Sequence, residues 1–190
     1  MVLKSIVIFC GSSAGNSPVY YKKSYELGIL LAEKGISLVY GGARVGLMGA
    51  VADGAISKGG QVIGVIPEFL LIKEVAHKGL SELKIVQSMH ERKSAMNELS
   101  DGVIVLPGGF GTLDELFEML TWGQLGLHQK PIGIYNMDGF YNDLISFISN
   151  LVNNGFLKKE NRNMLLVDEE TEGLLFQMET FKSIALTKWI

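Results

Sequence analysis

Short apolar runs alternate along the chain with longer segments in which apolar residues recur at helical spacing. The runs are Ser5–Cys10, Ser37–Tyr40, Gln61–Ile66, Leu83–Val86, Gly102–Leu106 and Pro131–Tyr135, with Met164–Val167 as a further short strand. Several of them (IVIFC, VIGVI, VIVL) are almost wholly apolar. Continuous apolar strands separated by helices predict a parallel sheet covered on both faces. Helices are predicted over Ser17–Lys34, Leu47–Lys58, His90–Leu99, Thr112–Leu125 and Gly139–Asn153, with a last one from Glu169 to about Phe181. In the first, Ser17 reads as N-cap and Pro18 as the first helical residue. Glu68–Leu83 is the least regular segment and reads as a lid or an inserted helix-loop. No repeat, low-complexity stretch or linker interrupts the pattern. It predicts a single doubly wound, Rossmann-like α/β domain over residues 1–190, its crossovers right-handed.

Composition narrows the function classes. Apolar residues make up 47% of the 190 and charged residues 19%, enough for a sizeable core and against disorder. Lys plus Arg is 17 and Asp plus Glu is 20, a net charge of -3. That balance supplies no broad footprint for nucleic acid or an anionic membrane. Cys10 is the only cysteine, so an intrachain disulfide and a cysteine-based zinc cluster are both excluded. His77, His90 and His128 are too widely spaced for a metal motif, so no metal site is expected. The apolar run Ile6–Cys10 is shorter than the roughly 7–15 residues of a signal-peptide core, and no run approaches the ~18 of a membrane span. The expectation is a soluble, cytoplasmic protein.

The 23 glycines carry the candidate chemistry, because several stand in pairs directly after strands. Three such loops are Cys10–Gly15, Gly41–Gly46 and Pro107–Thr112. In a parallel sheet all three gather at the carboxyl edge, where ligands bind. Glycines there let backbone N–H groups approach an anion, and a following helix adds its positive end. The third loop is the most specific. Its G-G-x-G-T spacing is neither the dinucleotide fingerprint nor a P-loop, yet Gly108, Gly109, Phe110, Gly111 and Thr112 suit a single phosphate. A tight strand-to-helix turn would also call for these glycines. Thr112-Leu113-Asp114-Glu115 further reads as a capping box, with Thr112 at N-cap and Glu115 at N3. The same Glu115 would stand at the wall of a phosphate pocket.

A second constellation is Met89-His90-Glu91-Arg92-Lys93, at the start of a helix. Two cations in a first turn oppose the helix dipole at a cost of ~0.3–1 kcal/mol, which a nearby anion would reverse. A solvated charged face with Glu91 compensating locally accounts for the pattern as well. His90 reads as a surface residue, and Cys10 as a buried strand-end residue.

Together these residues resemble a known family. P-G-G-F-G-T-L-D-E at Pro107–Glu115 matches the signature P-G-G-x-G-T-x-x-E, and M-H-E-R-K matches a second motif, of the Lonely Guy group of cytokinin riboside 5′-monophosphate phosphoribohydrolases, long mislabelled as lysine decarboxylases. Similarity continues through GSSAG, VYGGARVGLMGAVADGA, VIGVIPEFL, TWGQLGLHQKPIGIYNMDGFY and LVNNGF, roughly Ile6 to Phe156. Ala43 departs from the pattern, since many relatives have a third glycine there. The decarboxylase label fits poorly, because a pyridoxal-phosphate enzyme needs a Schiff-base lysine and no sequence context singles one out.

The resemblance implies hydrolysis of a nucleoside 5′-monophosphate to ribose 5-phosphate and a free base, adenine or an N6-substituted adenine. It implies Arg92 and Glu115 as the catalytic pair and Gly108–Thr112 as the phosphate cradle. Glu74, Lys93, Leu113, Asp114 and Thr121 become further substrate contacts, with no metal or organic cofactor. Cleaving the C1′–N bond develops positive charge on the ribose. Glu115 could stabilise that charge or orient water; Arg92 could hold the phosphate or assist the departing base. A nucleotide-binding or carrier module without turnover is the alternative. At about 100° per residue Thr121 falls ~180° round the helix from Thr112. A contact from Thr121 therefore suggests a neighbouring subunit, and a homodimer, or a larger homo-oligomer built from it, is expected.

Overall fold

A computed structural model describes residues 2–71 and 76–182. Its strands are β1 Ser5–Phe9, β2 Ser37–Tyr40, β3 Val62–Pro67, β4 Glu82–Val86, β5 Gly102–Val105, β6 Ile132–Tyr135 and β7 Leu165–Asp168. Its helices are α1 Pro18–Glu33, α2 Gly46–Ser57, α3 Glu68–Leu71, α4 Met89–Glu98, α5 Phe110–Gln124, α6 Asn142–Asn153, α7 Lys159–Arg162 and α8 Thr171–Thr180. All strands pair in parallel, in the order β4-β3-β2-β1-β5-β6-β7. The chain winds outward from β1 to β4, then crosses back to place β5 against the other side of β1. This reversal between β1 and β5 is the topological switch point, where open α/β sheets bind ligands.

Successive strand residues point to opposite faces, so a strand buried on both sides must be apolar throughout. In β1, Ile6 and Ile8 join the core under α1, α2 and α8, while Val7 and Phe9 join the core under α4, α5 and α6. On the first face α1 and α2 pack backbone to backbone. A Cβ on Gly28 would collide with the Val51 carbonyl, and one on Gly54 with the Tyr25 carbonyl.

The termini follow local chemistry. Ser17 caps α1, its hydroxyl accepting from Val19 N–H at 3.4 Å, with Pro18 next. α5 departs from the capping-box expectation. It begins at Phe110 with extended Gly109 as N-cap, and Thr112 lies buried inside the first turn. A related cap does occur at α4, where Ser88 Oγ accepts from Glu91 N–H at 3.1 Å and the Glu91 carboxylate reaches back past the N-cap to accept from Gln87 N–H at 2.8 Å. The irregular Glu68–Leu83 segment contains α3 and, after it, a clip. His77 N–H donates to the Gly42 carbonyl at 3.0 Å. Its ring accepts from Gly79 N–H at Nδ1, which leaves Nε2 to donate to Asp53 at 2.9 Å. Ala43 is fully buried and bridges Ala76, so its methyl is taken up by the core.

Candidate active site

The loops after β1 and β5 meet at the switch point, where Gly11 N–H donates to the Pro107 carbonyl at 3.0 Å. On the α4/α5 side of this join lies a cleft of about 320 Å³, lined by the ends of β1 and β2, the first turns of α4 and α5, and Met48, Met89 and Met96. Arg92 and Glu115 both face it. A second cleft of about 450 Å³ opens on the α1 side and shares Gly11, Ser12 and Gly109 with the first.

Arg92 is buried at 7% exposure. Its Nε donates to the Val65 carbonyl at 3.0 Å and its Nη2 to the Gly41 carbonyl at 3.2 Å. A guanidinium has five N–H bonds and never loses its charge in proteins. The other three have no acceptor among the described residues, so they are available to a ligand. Gly41 makes the geometry possible: a Cβ there would strike Nη2 of Arg92 and the sulfur of Met48.

Glu115 accepts no hydrogen bond among the described residues. Burial pushes its carboxyl up to about 7, against the opposing pull of the Arg92 charge; Asp114 and Glu118 add to the rise and Lys93 lessens it. Such a group is half-ionised near neutrality, where a carboxyl is most useful for proton transfer.

At the rim, α5 presents the unpaired N–H groups of its first turn, the anion-binding end of a helix. Gly109 and Gly111 border open space, whereas Gly108 is pressed against Thr112, whose Oγ1 a Cβ at 108 would meet. Phe110 is 95% exposed. The cleft thus combines an anion-binding helix end, a buried cation with spare donors, a carboxyl poised near neutrality and an apolar floor.

A family model described as "Possible lysine decarboxylase" matches residues 48–178. The cytokinin riboside 5′-monophosphate phosphoribohydrolase LOG1 of Arabidopsis thaliana is 44% identical over 178 residues, 94% of this chain and 84% of that one. The cytokinin riboside 5′-monophosphate phosphoribohydrolase of Rhodococcoides fascians is 46% identical over 173 residues, covering 90% and 87%. The chain belongs to the cytokinin riboside 5′-monophosphate phosphoribohydrolase family. Among solved structures, the molybdenum cofactor binding protein of Rippkaea orientalis superposes with a TM-score of 0.70 at 24% identity, covering 95% of this chain and 98% of that one. That likeness carries the fold alone.

The residues expected of a phosphoribohydrolase are distributed as follows. Arg92, Gly109, Phe110, Gly111, Thr112, Asp114 and Glu115 line the first cleft, and Gly108 and Gly109 the second. Lys93 is buried beside the cleft, its ammonium 3.1 Å from Asp114 Oδ2 and 2.9 Å from Glu118 Oε2. Leu113 packs against the core of the α4/α5/α6 face. Thr121 is exposed on another face of α5, donates to the Phe117 carbonyl at 2.7 Å and borders a groove with Phe117, Leu120 and Leu151. Glu74 lies outside the described residues. Sequence reasoning passed over Gly41, Met48 and Met96. Gly41 stood in a recognised glycine loop, but nothing local marks the methionines, which come from α2 and α4 and meet only in the folded chain.

Proposed function

We infer that this chain hydrolyses the N-glycosidic bond of adenine-type nucleoside 5′-monophosphates, AMP or cytokinin riboside 5′-monophosphates, releasing the base and ribose 5-phosphate. The observation that carries the reading is the pairing of buried Arg92 and half-buried Glu115 in one cleft with the open N-terminus of α5. The phosphate sits on Gly109–Thr112, with Gly108 supporting Thr112. The ribose then lies over Glu115 and the base against the methionine-lined floor. As the C1′–N bond breaks, its electron pair leaves with the base and positive charge develops on the ribose. Ionised Glu115 stabilises that charge, and a water adds to C1′ as it loses a proton, balancing the proton gained by the base. Arg92 holds the phosphate and stabilises charge on the departing side through its spare N–H bonds.

The relatives' names and the shared motifs support the same chemistry. Incubation with AMP tests it: release of free adenine supports the enzyme, whereas tight binding of intact AMP would make the chain a nucleotide-binding module instead. Adenosine should be a much poorer substrate than AMP, and comparable efficiency on the two would remove the phosphate cradle from the mechanism. Arg92→Ala should raise KM for AMP as well as lower kcat.

A homodimer is part of this reading. Thr121 faces away from its own cleft, onto a groove lined by Phe117, Leu120, Ile148, Leu151 and Leu157, of which Phe117 is exposed. Burying such apolar area favours association. Sedimentation showing a fully active monomer would refute it.

A further inference from the structure

The mechanism above leaves one buried charge unused. Lys93 follows Arg92 directly, so its side chain leaves α4 about 100° further round and points to α5 instead of into the cleft. Its side chain is 8% exposed and bridges two carboxylates, Asp114 and Glu118. These stand one helical turn apart on α5, on either side of Glu115 in sequence. The two arms are unequal. Asp114 is 62% exposed and screened by water, whereas Glu118 is 20% exposed and lies at the shorter distance, 2.9 Å. Its Oε2 is buried, and the polar group that meets it among the described residues is the Lys93 ammonium.

We propose that Glu118 is a positioning residue for the hydrolysis. Through Lys93 it fixes the first turn of α4 against α5, so that Arg92 and Glu115 address the same ligand. The inference rests on the reading of those two as the reacting pair. Three observations carry it. Arg92 and Lys93 are adjacent on α4, so a backbone shift at Lys93 is shared by Arg92. Glu115 and Glu118 lie on one side of α5, so the bridge acts at the level of the reacting carboxyl. Two cations in the first turn of α4 oppose its dipole, and Glu118 offsets that in the ligand-free chain. Burial alone would push the Lys93 ammonium down; Glu118 and Asp114 more than reverse this and keep it charged. The same Glu118 charge helps to raise the Glu115 carboxyl.

The test compares wild type, Glu118→Gln, Asp114→Asn and Glu115→Gln, with AMP as substrate and melting curves on each. Glu118→Gln should lower kcat at least ~10-fold with KM changed less than ~3-fold, since small misplacements of reacting groups are costly. The acidic limb of its kcat/KM profile should move to lower pH, because both the lost carboxylate and the uncompensated Lys93 favour ionised Glu115. A merely structural contact would not move that limb. Asp114→Asn should lower kcat by less than Glu118→Gln does. A folded Glu118→Gln enzyme with wild-type kcat and an unmoved limb, beside an inactive Glu115→Gln, would overturn the proposal alone. Wild-type kcat in Glu115→Gln would overturn the reading of the site, and the proposal with it. If Glu118→Gln does not fold, Glu118→Asp, which keeps the charge but withdraws it by one methylene, is judged on the same two readouts.

Discussion

Replacing Glu115 with Gln should stabilise the fold while disabling the site. In the folded chain the Glu115 carboxyl is pushed up to about 7 from an ordinary 4.5. A folded-state value raised above the unfolded one means that stability is fully present below about 4.5 and is lost as pH rises through 7. At about 1.36 kcal/mol per tenfold change in the ionisation constant, the loss reaches about 3 kcal/mol by pH 8 and stays under ~1 kcal/mol at pH 5. Gln never ionises and therefore escapes the loss. It also breaks no hydrogen bond, because Glu115 accepts none among the described residues, and α5 is capped at Gly109 and not through Glu115. For a chain of this size ~1 kcal/mol moves Tm by roughly 2–4 °C. The variant should then melt about 6–12 °C above wild type at pH 8 and within about 4 °C of it at pH 5. Meanwhile kcat should fall at least ~100-fold, as when one electrostatic stabiliser is removed. Substrate affinity should change much less, because the ground-state ribose is neutral. Paired thermal melts at the two pH values decide the matter. A variant no more stable than wild type at pH 8, or a Tm gap that does not depend on pH, would refute the claim that a desolvated charge is held at this position.

Other outcomes follow from the same geometry. The kcat/KM of wild type on AMP should rise with pH through about 7 as Glu115 ionises, and a profile flat from pH 5 to 8 would contradict a role for the carboxylate form. Gly41→Ala should lower turnover strongly with little loss of fold, because its Cβ displaces Nη2 of Arg92; unchanged kinetics would mean that the guanidinium is not held where the ligand needs it. Gly54→Ala should destabilise by about 1–3 kcal/mol through overpacking of α2 against the Tyr25 carbonyl. Its kinetics, measured well below its melting temperature, should stay near wild type.

The helix-and-strand pattern was legible because the sheet is buried on both faces. Ile6, Val7, Ile8 and Phe9 must all be apolar when alternate residues enter different cores. Such runs bounded by glycine announce themselves without any alignment. Pro18 after Ser17 marked the start of α1 for an equally local reason, since a hydroxyl and a fixed φ are properties of single residues. The glycine loop Pro107–Thr112 and the Met89–Lys93 turn were visible for the same reason, and so was the family they resemble. The start of α5 was not, because Gly109 takes an extended conformation as N-cap and a threonine with a glutamate three residues on imitates a cap it does not form.

What only tertiary structure decided is which loops become neighbours. Sequence order does not say that β5 lies beside β1, and that adjacency brings Cys10–Ser12, Gly41, Arg92 and Glu115 to one cleft. Burial is likewise a property of the assembled layers. The same charged turn that reads as a solvated face places Arg92 and Lys93 out of water, with Arg92 on two carbonyls and Lys93 on two carboxylates. Glu115 owes its ionisation near neutrality first to desolvation, which no residue type or spacing encodes. Local chemistry named the groups, and long-range packing set their charge states and their partners.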